Sequence, residues 1–235
     1  MKNPILVALD TQDKSKALDL ASALNGVVGG VKLGLEFFNA NGPDGVRTIA
    51  AAGVPFFLDL KFHDIPNTVA AAVRAAVSLK PAILNVHASG GEAMLRAAAE
   101  AASEAAAVLG VKKPLLIAVT VLTSMDEADL GAVGQIGTPE TQVVRLATLT
   151  QKCGLDGVVC SPREIAAIRD ACGSGFKLIV PGIRPSGSES GDQKRIMTPA
   201  EAIQAGADYL VIGRPITAST NPAEAARDIA ASLAP

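Results

Sequence analysis

Aromatic residues are scarce in this chain: six Phe, one Tyr and no Trp among 235 residues. A surface that stacks nucleic-acid bases needs exposed rings, so that class of function is disfavoured. Neither sign of charge is in excess, with 21 Lys and Arg against 23 Asp and Glu and a net charge of -2. Without a basic face there is no electrostatic footprint for nucleic acid or for an acidic membrane surface. No apolar run reaches the ~20 residues of a membrane helix. The opening Ile5-Leu6-Val7-Ala8-Leu9 is too brief for the core of a secretory leader. Cys153, Cys160 and Cys172 have spacings that fit no zinc or redox motif. An odd number of cysteines favours reduced thiols and a cytoplasmic setting, and the three read as small buried apolar residues. A dinucleotide fingerprint is also missing, because the first apolar run is followed by Asp10-Thr11-Gln12-Asp13-Lys14 rather than G-x-G-x-x-G.

What is present is apolar material in a regular rhythm. Apolar residues make up 49% of the chain, enough for a large core. Eight short runs cover residues 5–10, 30–34, 55–62, 83–88, 115–120, 157–160, 177–181 and 209–213. They are nearly continuous in Val, Ile and Leu, which is what strands covered on both faces require. Helical patterns alternate with them at residues 14–24, 42–52, 66–79, 92–109, 139–153, 162–171, 199–205 and 223–233. Three of these open with Thr138-Pro139, Ser161-Pro162 and Thr198-Pro199, a capping oxygen followed by a preset φ. Glycines at 26, 53, 110, 154, 173 and 206 stand where helices end. Eight strand-then-helix units predict a single (β/α)8 TIM barrel over residues 1–235, with a doubly wound open sheet as the rival. Two connections are long. Residues 123–138 are expected to carry a short helix at 125–133, and residues 184–198, rich in Ser and Gly, read as a lid.

Barrel enzymes build their sites where strands end. The ends here read Asp10, Lys32, Asp59 with Lys61, His87, Thr120 to Ser124, Ser161, Pro181 to Arg184, and Gly213-Arg214. Lys32 lies inside an apolar run, where an ammonium needs a carboxylate or a ligand. Asp59 and Lys61 are two apart, so a strand points both to one face. The surplus of acids around Lys61 favours a protonated donor over a neutral Schiff-base nucleophile. Alone, Asp10 reads equally well as a turn or cap residue. Asp64 reads as a cap for the third helix, and His63 and His87 as structural histidines. Gly213-Arg214 after the eighth strand is where barrels place phosphate, with backbone N–H groups and a guanidinium to hold it. Arg184 and Gln193 are positioned to close over such a ligand.

The stretch Asp59-Leu60-Lys61-Phe62-His63-Asp64-Ile65-Pro66-Asn67-Thr68 closely resembles the defining segment of the orotidine 5'-phosphate decarboxylase family, in its shorter bacterial form. Leu9-Asp10, Val31-Lys32-Leu33-Gly34, residues 119–124, Pro181-Gly182-Ile183-Arg184, residues 191–195 and Val211-Ile212-Gly213-Arg214-Pro215-Ile216 agree with it. The resemblance implies decarboxylation of orotidine 5'-phosphate without metal or other cofactor. It implies Lys61 as proton donor to C6, with Asp59, Asp64 and Lys32 completing the catalytic charges. Asp10 and Lys32 would reach the ribose. Asp64, Ile65 and Thr68 would cross a homodimer interface into the partner's site. Thr123 or Ser124, with Gln193, would meet the base; Pro181 would join the substrate site, and Arg184, Gly213 and Arg214 would hold the phosphate. Within the ten-residue stretch, Leu60, Phe62, His63, Pro66 and Asn67 are likewise expected at the substrate. The alternatives are an Mg2+-dependent sugar-phosphate decarboxylase of the 3-keto-gulonate 6-phosphate type, a Schiff-base aldolase, and a phosphonucleotide-binding barrel without turnover.

Overall fold

A computed structural model describes residues 3–185 and 197–233. Eight parallel strands close into a barrel in chain order, β1-β2-β3-β4-β5-β6-β7-β8. They are β1 Ile5–Ala8, β2 Gly30–Leu33, β3 Phe56–Phe62, β4 Ile83–His87, β5 Leu115–Val119, β6 Gly157–Val159, β7 Lys177–Val180 and β8 Tyr209–Ile212. β8 closes on β1 through Ile5 with Leu210, Leu6 with Val211 and Val7 with Ile212. Around them lie α1 Lys14–Leu24, α2 Leu35–Ala50, α3 Pro66–Val77, α4 Gly91–Leu109, α5 Glu127–Ala132, α6 Pro139–Lys152, α7 Ile165–Cys172, α8 Pro199–Ala205, α9 Arg214–Thr217 and α10 Pro222–Ala231. The open-sheet rival is thereby excluded.

The core has two parts, and together they explain why the strands show no alternation in sequence. Leu6, Ala8, Phe57, Ile83, Ile117, Ile179 and Val211 fill the barrel interior. Their neighbours, among them Ile5, Val7, Val31, Leu33, Phe56, Leu58 and Leu84, pack outward under the helices. Both faces bury apolar groups, so a period of two is present in space but hidden in composition. It also sets the site. Continuing inward positions one step toward the C-terminal mouth gives Asp10 beyond Ala8, Asp59 beyond Phe57 and Asn85 beyond Ile83. Lys32 faces inward between the outward Val31 and Leu33.

Helix starts follow the expected chemistry. Thr138, Ser161 and Thr198 accept hydrogen bonds from the backbone N–H groups of Thr141, Arg163 and Glu201. Glu164 and Glu201 bond back to complete capping boxes. Gly110 ends α4 in the left-handed region at φ 63, where a side chain would be strained. The short helix expected within 125–133 is α5.

Three boundaries differ from expectation. α2 begins at Leu35, seven residues before the expected residue 42, and is broken in two at Gly42 (φ 60, ψ -164) before Pro43 restarts it. Its first half, Leu35-Glu36-Phe37-Phe38-Asn39-Ala40-Asn41, has a poor helical composition. Burial of Phe37 outweighs propensity there, and Asn39 and Asn41 donate their amides to Leu35 O and Phe37 O. The seventh helix begins with a 3-10 turn at Pro162–Glu164. α9, a single turn opened by Gly213-Arg214-Pro215, lies outside the expected helical pattern. All three cysteines are buried as free thiols. Among the described residues no helix is long and apolar enough to cross a membrane.

Candidate active site

Asp59 is the centre of the polar layer above the barrel plug, and it is 8% exposed. The Lys61 Nζ donates to Asp59 Oδ1 at 2.6 Å, and Lys32 Nζ stands 3.3 Å from Oδ2. Lys32 also reaches Asp10 Oδ1 at 3.3 Å, so the lysine buried in an apolar run has two carboxylates for partners. Burial pushes the Asp59 carboxyl upward. The charges of Lys32 and Lys61, with hydrogen bonds from Lys61 and Asn85, more than offset it and hold the group below the usual carboxylate value of 3.8. Asp59 is therefore a charged carboxylate between two ammonium groups.

The backbone at Lys61 departs from a simple strand. Its φ is 53, and the pairing of β3 with β4 shifts register between Leu58 and Phe62. Asp59 and Lys61 do share a site, but regular alternation to residue 61 is not what aims the lysine. Asn85 is. Its side-chain oxygen accepts the Lys61 N–H at 2.8 Å, and its amide nitrogen donates to Asp59 Oδ1 at 2.7 Å.

Two of the cavities at this mouth border the charged layer. One of about 180 Å³ is lined by Lys32, Asp59, Lys61, Val121, Thr123 and Pro181, with Cys160 in its wall. Burial raises the Cys160 thiol well above its ordinary value, so it is a neutral apolar wall rather than a nucleophile. The second, about 510 Å³, is lined by Asp10, Lys32, Pro181, Gly182, Arg184, Gly213 and Arg214. Lys32, Pro181 and Val211 border both, so the two compartments are adjoining parts of one site. Arg184 is nearly buried, and its guanidinium donates to Ile183 O at 2.9 Å. Arg214 opens α9 at the rim, with Gly213 at the N-cap.

Other expected site residues fall elsewhere in this chain. Leu60 and Phe62 line neither cavity, and their side chains pack against the outer core. Asp64 does not cap α3: Ile65 holds the N-cap position without a side-chain bond, and Asp64 Oδ1 accepts the Ile65 N–H at 2.6 Å. Asp64, Ile65, Asn67 and Thr68 are exposed on the rim outside both cavities, and Pro66 opens α3. Ser124 is exposed and lines neither cavity. Gln193 and the expected lid lie outside the described residues. His63 and His87 approach each other with ring centroids 5.6 Å apart. Burial, then the charges of His63 and Lys61, hold the His87 imidazole below its ordinary value, against a smaller opposing pull from Asp59.

A buried acid between two lysines beside an arginine-rimmed cavity suits a phosphorylated substrate that develops negative charge. The sequence model of the orotidine 5'-phosphate decarboxylase / HUMPS family matches residues 3–229. The chain belongs to that family. A protein of Paramagnetospirillum magneticum named orotidine 5'-phosphate decarboxylase is 57% identical over 233 residues, 99% of each chain. One of Rhodospirillum rubrum with the same name is 58% identical over 99% of this chain and 94% of its own. The crystal structure of orotidine 5'-phosphate decarboxylase from Lactobacillus acidophilus superposes with a TM-score of 0.85 at 33% identity, covering 100% of both chains. For this family member, the residue that reading the strand ends overlooked is Asn85. Its signal in the sequence is a polar amide inside the apolar run Ile83-Leu84-Asn85-Val86, on the face that Ile83 turns inward.

Proposed function

We propose that this chain is a carboxy-lyase that converts orotidine 5'-phosphate to uridine 5'-phosphate and CO2, the last step of pyrimidine nucleotide synthesis, with the barrel as its one catalytic domain. The family match and the full-length relatives carry the reaction. The residue roles rest on one observation, the carboxylate of Asp59 buried between Lys32 and Lys61.

The chemistry follows from the difficulty of the step. Breaking the bond from C6 to the carboxylate leaves an electron pair in the ring plane, where the ring π orbitals cannot delocalise it. Stabilisation must then be electrostatic. A preorganised ammonium beside the developing charge provides it without reorganisation during reaction. Lys61 then gives its proton to C6 and recovers one from water after product leaves. Asp59 keeps Lys61 and Lys32 in place, and its repulsion of the substrate carboxylate is a lesser contribution. Lys32 and Asp10 bind the ribose hydroxyls. Thr123 or Ser124, together with Gln193, meets the base, beside Pro181. Arg184, the Gly213 backbone and Arg214 hold the phosphate in the larger cavity. The phosphate does not react, so its binding energy is available to order the charged array.

The exposed rim from Asp64 to Thr68, with Ile65 67% exposed, supports a homodimer in which these residues complete the partner's site. The enzyme works as a cytoplasmic protein on a small molecule, without nucleic-acid or membrane partners and without a metal.

Incubation of the purified protein with orotidine 5'-phosphate and EDTA should deplete the orotate chromophore. No decarboxylation would overturn the reading, and strict dependence on added Mg2+ would favour the sugar-phosphate alternative. The shared site has its own test. Lys61→Ala and Asp64→Ala chains, each inactive alone, should regain activity after mixing and reassembly, up to about a quarter of wild type for a two-fold dimer. Absence of any recovery would place both residues in the same protomer's site.

A further inference from the structure

The geometry points to Asn85 as a positioning residue that fixes both the backbone of Lys61 and its charge partner. This rests on the reading of Lys61 as proton donor. Asn85 is fully buried on β4, on the inward face above the barrel plug. Lys61 sits at φ 53, a conformation that a residue with a Cβ adopts only when its surroundings impose it. The register shift between β3 and β4 at this point leaves the Lys61 N–H outside the regular ladder. The Asn85 oxygen takes its place as acceptor at 2.8 Å. The same side chain gives its N–H to Asp59 Oδ1 at 2.7 Å, the oxygen that also accepts from Lys61 Nζ. One amide therefore closes a ring that runs from the Lys61 backbone through Asn85 and Asp59 to the Lys61 ammonium.

The residue type is dictated by its partners. A backbone N–H needs an acceptor and a carboxylate needs a donor. An ionised Asp at this position supplies only the first, and Leu supplies neither. Reversing the amide would set donor against donor and acceptor against acceptor, so its orientation follows from the contacts. Asn85 does not border either cavity and has no route to the reacting atoms. Its effect is on the aim of Lys61 and on the charge of Asp59. The titratable groups around it are Asp59 and Lys61 on β3, Lys32 on β2, and the His63 and His87 pair.

Two variants separate the halves of the ring. Asn85→Leu keeps the branched shape with bulkier ends and loses both bonds. It should lower kcat for orotidine 5'-phosphate about 10²-fold, the scale of a small misplacement of a catalytic group. KM should change little, because the phosphate contacts are elsewhere. Asn85→Asp keeps the acceptor for the Lys61 N–H but sets a second carboxylate against Asp59. Its kcat should recover relative to wild type as pH falls and the new carboxyl is protonated to become a donor. Circular dichroism and binding of uridine 5'-phosphate report that fold and site survive. A kcat within about twofold of wild type for both variants, or an Asn85→Asp deficit that does not vary with pH, would overturn the inference. If Asn85→Leu does not fold, the pH profile of Asn85→Asp decides alone. A wild-type chain without decarboxylase activity would overturn the underlying reading and this inference together, whereas active wild type with indifferent variants would overturn this inference only.

Discussion

Lys61 and Lys80 are the two non-glycine residues with positive φ among the described residues, at 53 and 58. They share a backbone conformation and differ in what imposes it. Lys80 follows the end of α3, donates its N–H to Val77 O at 2.9 Å, and leaves its side chain exposed at the N-terminal mouth. There the left-handed residue serves a turn. At the C-terminal mouth the same conformation is clamped by Asn85 and turns an ammonium onto Asp59. The ion pairs of the two mouths differ in the same way. Asp156 and Asp208 pair with Lys113 and Lys177, but each also accepts a backbone N–H, from Leu116 and Leu178, at the start of a strand. Asp59 draws its partners from side chains: Lys32, Lys61 and Asn85. A carboxylate that satisfies backbone groups fastens loops to strands. One held by side chains above a cavity is arranged for a ligand.

The contrast can be broken at either mouth. Asp208→Ala should lower stability by about 1–3 kcal/mol, the cost of leaving buried donors without an acceptor, while kcat stays at the wild-type value. A urea titration beside a rate measurement checks both, and a loss of turnover without a loss of stability would erase the distinction. His87 gives a smaller effect with a defined sign. Its folded value is depressed below 6.5, so the folded chain favours neutral imidazole. The resulting stability is present above 6.5 and is lost as pH falls through the folded value, because the unfolded chain then binds the extra proton. The urea midpoint should therefore drop less on acidification in His87→Gln than in wild type, and equal slopes would remove His87 from the account. The smallest change is expected for Lys80→Gly, within about 1 kcal/mol in stability because glycine suits positive φ, with turnover untouched.

These contrasts also mark what the sequence made legible. The barrel could be read because its determinants are local. Apolar runs covered on both faces, Thr and Ser caps before proline, and glycines after helices each act within a few residues. Lys32 could be read as a paired lysine because an ammonium among Val and Leu is too costly to bury without a counter-charge. What escaped depends on distant neighbours. The first half of α2 is held by burial of Phe37 against a poor local propensity. The packing of the Leu60 and Phe62 side chains against the outer core is obscured by a motif taken whole. The aim of Lys61 depends on a register shift against β4 and on Asn85, 24 residues away in the chain. A polar residue within an apolar run was the one sign of it in the sequence.

The central claim is that an ammonium at position 61, held against Asp59, protonates the C6 carbanion to give the product. Replacing the amine and then restoring it tests this most directly. Lys61→Cys should reduce turnover of orotidine 5'-phosphate by about 10²–10⁴-fold, the range lost with a general acid. Alkylation with 2-bromoethylamine then places an ammonium at nearly the reach of lysine. The side chain at 61 is 27% exposed, whereas Cys153, Cys160 and Cys172 are buried, so the reagent is directed to the new thiol, with mass spectrometry to count the additions. The account predicts that turnover returns on alkylation. Turnover that stays lost after alkylation, with uridine 5'-phosphate still bound, or a Lys61→Cys chain as fast as wild type, would contradict it.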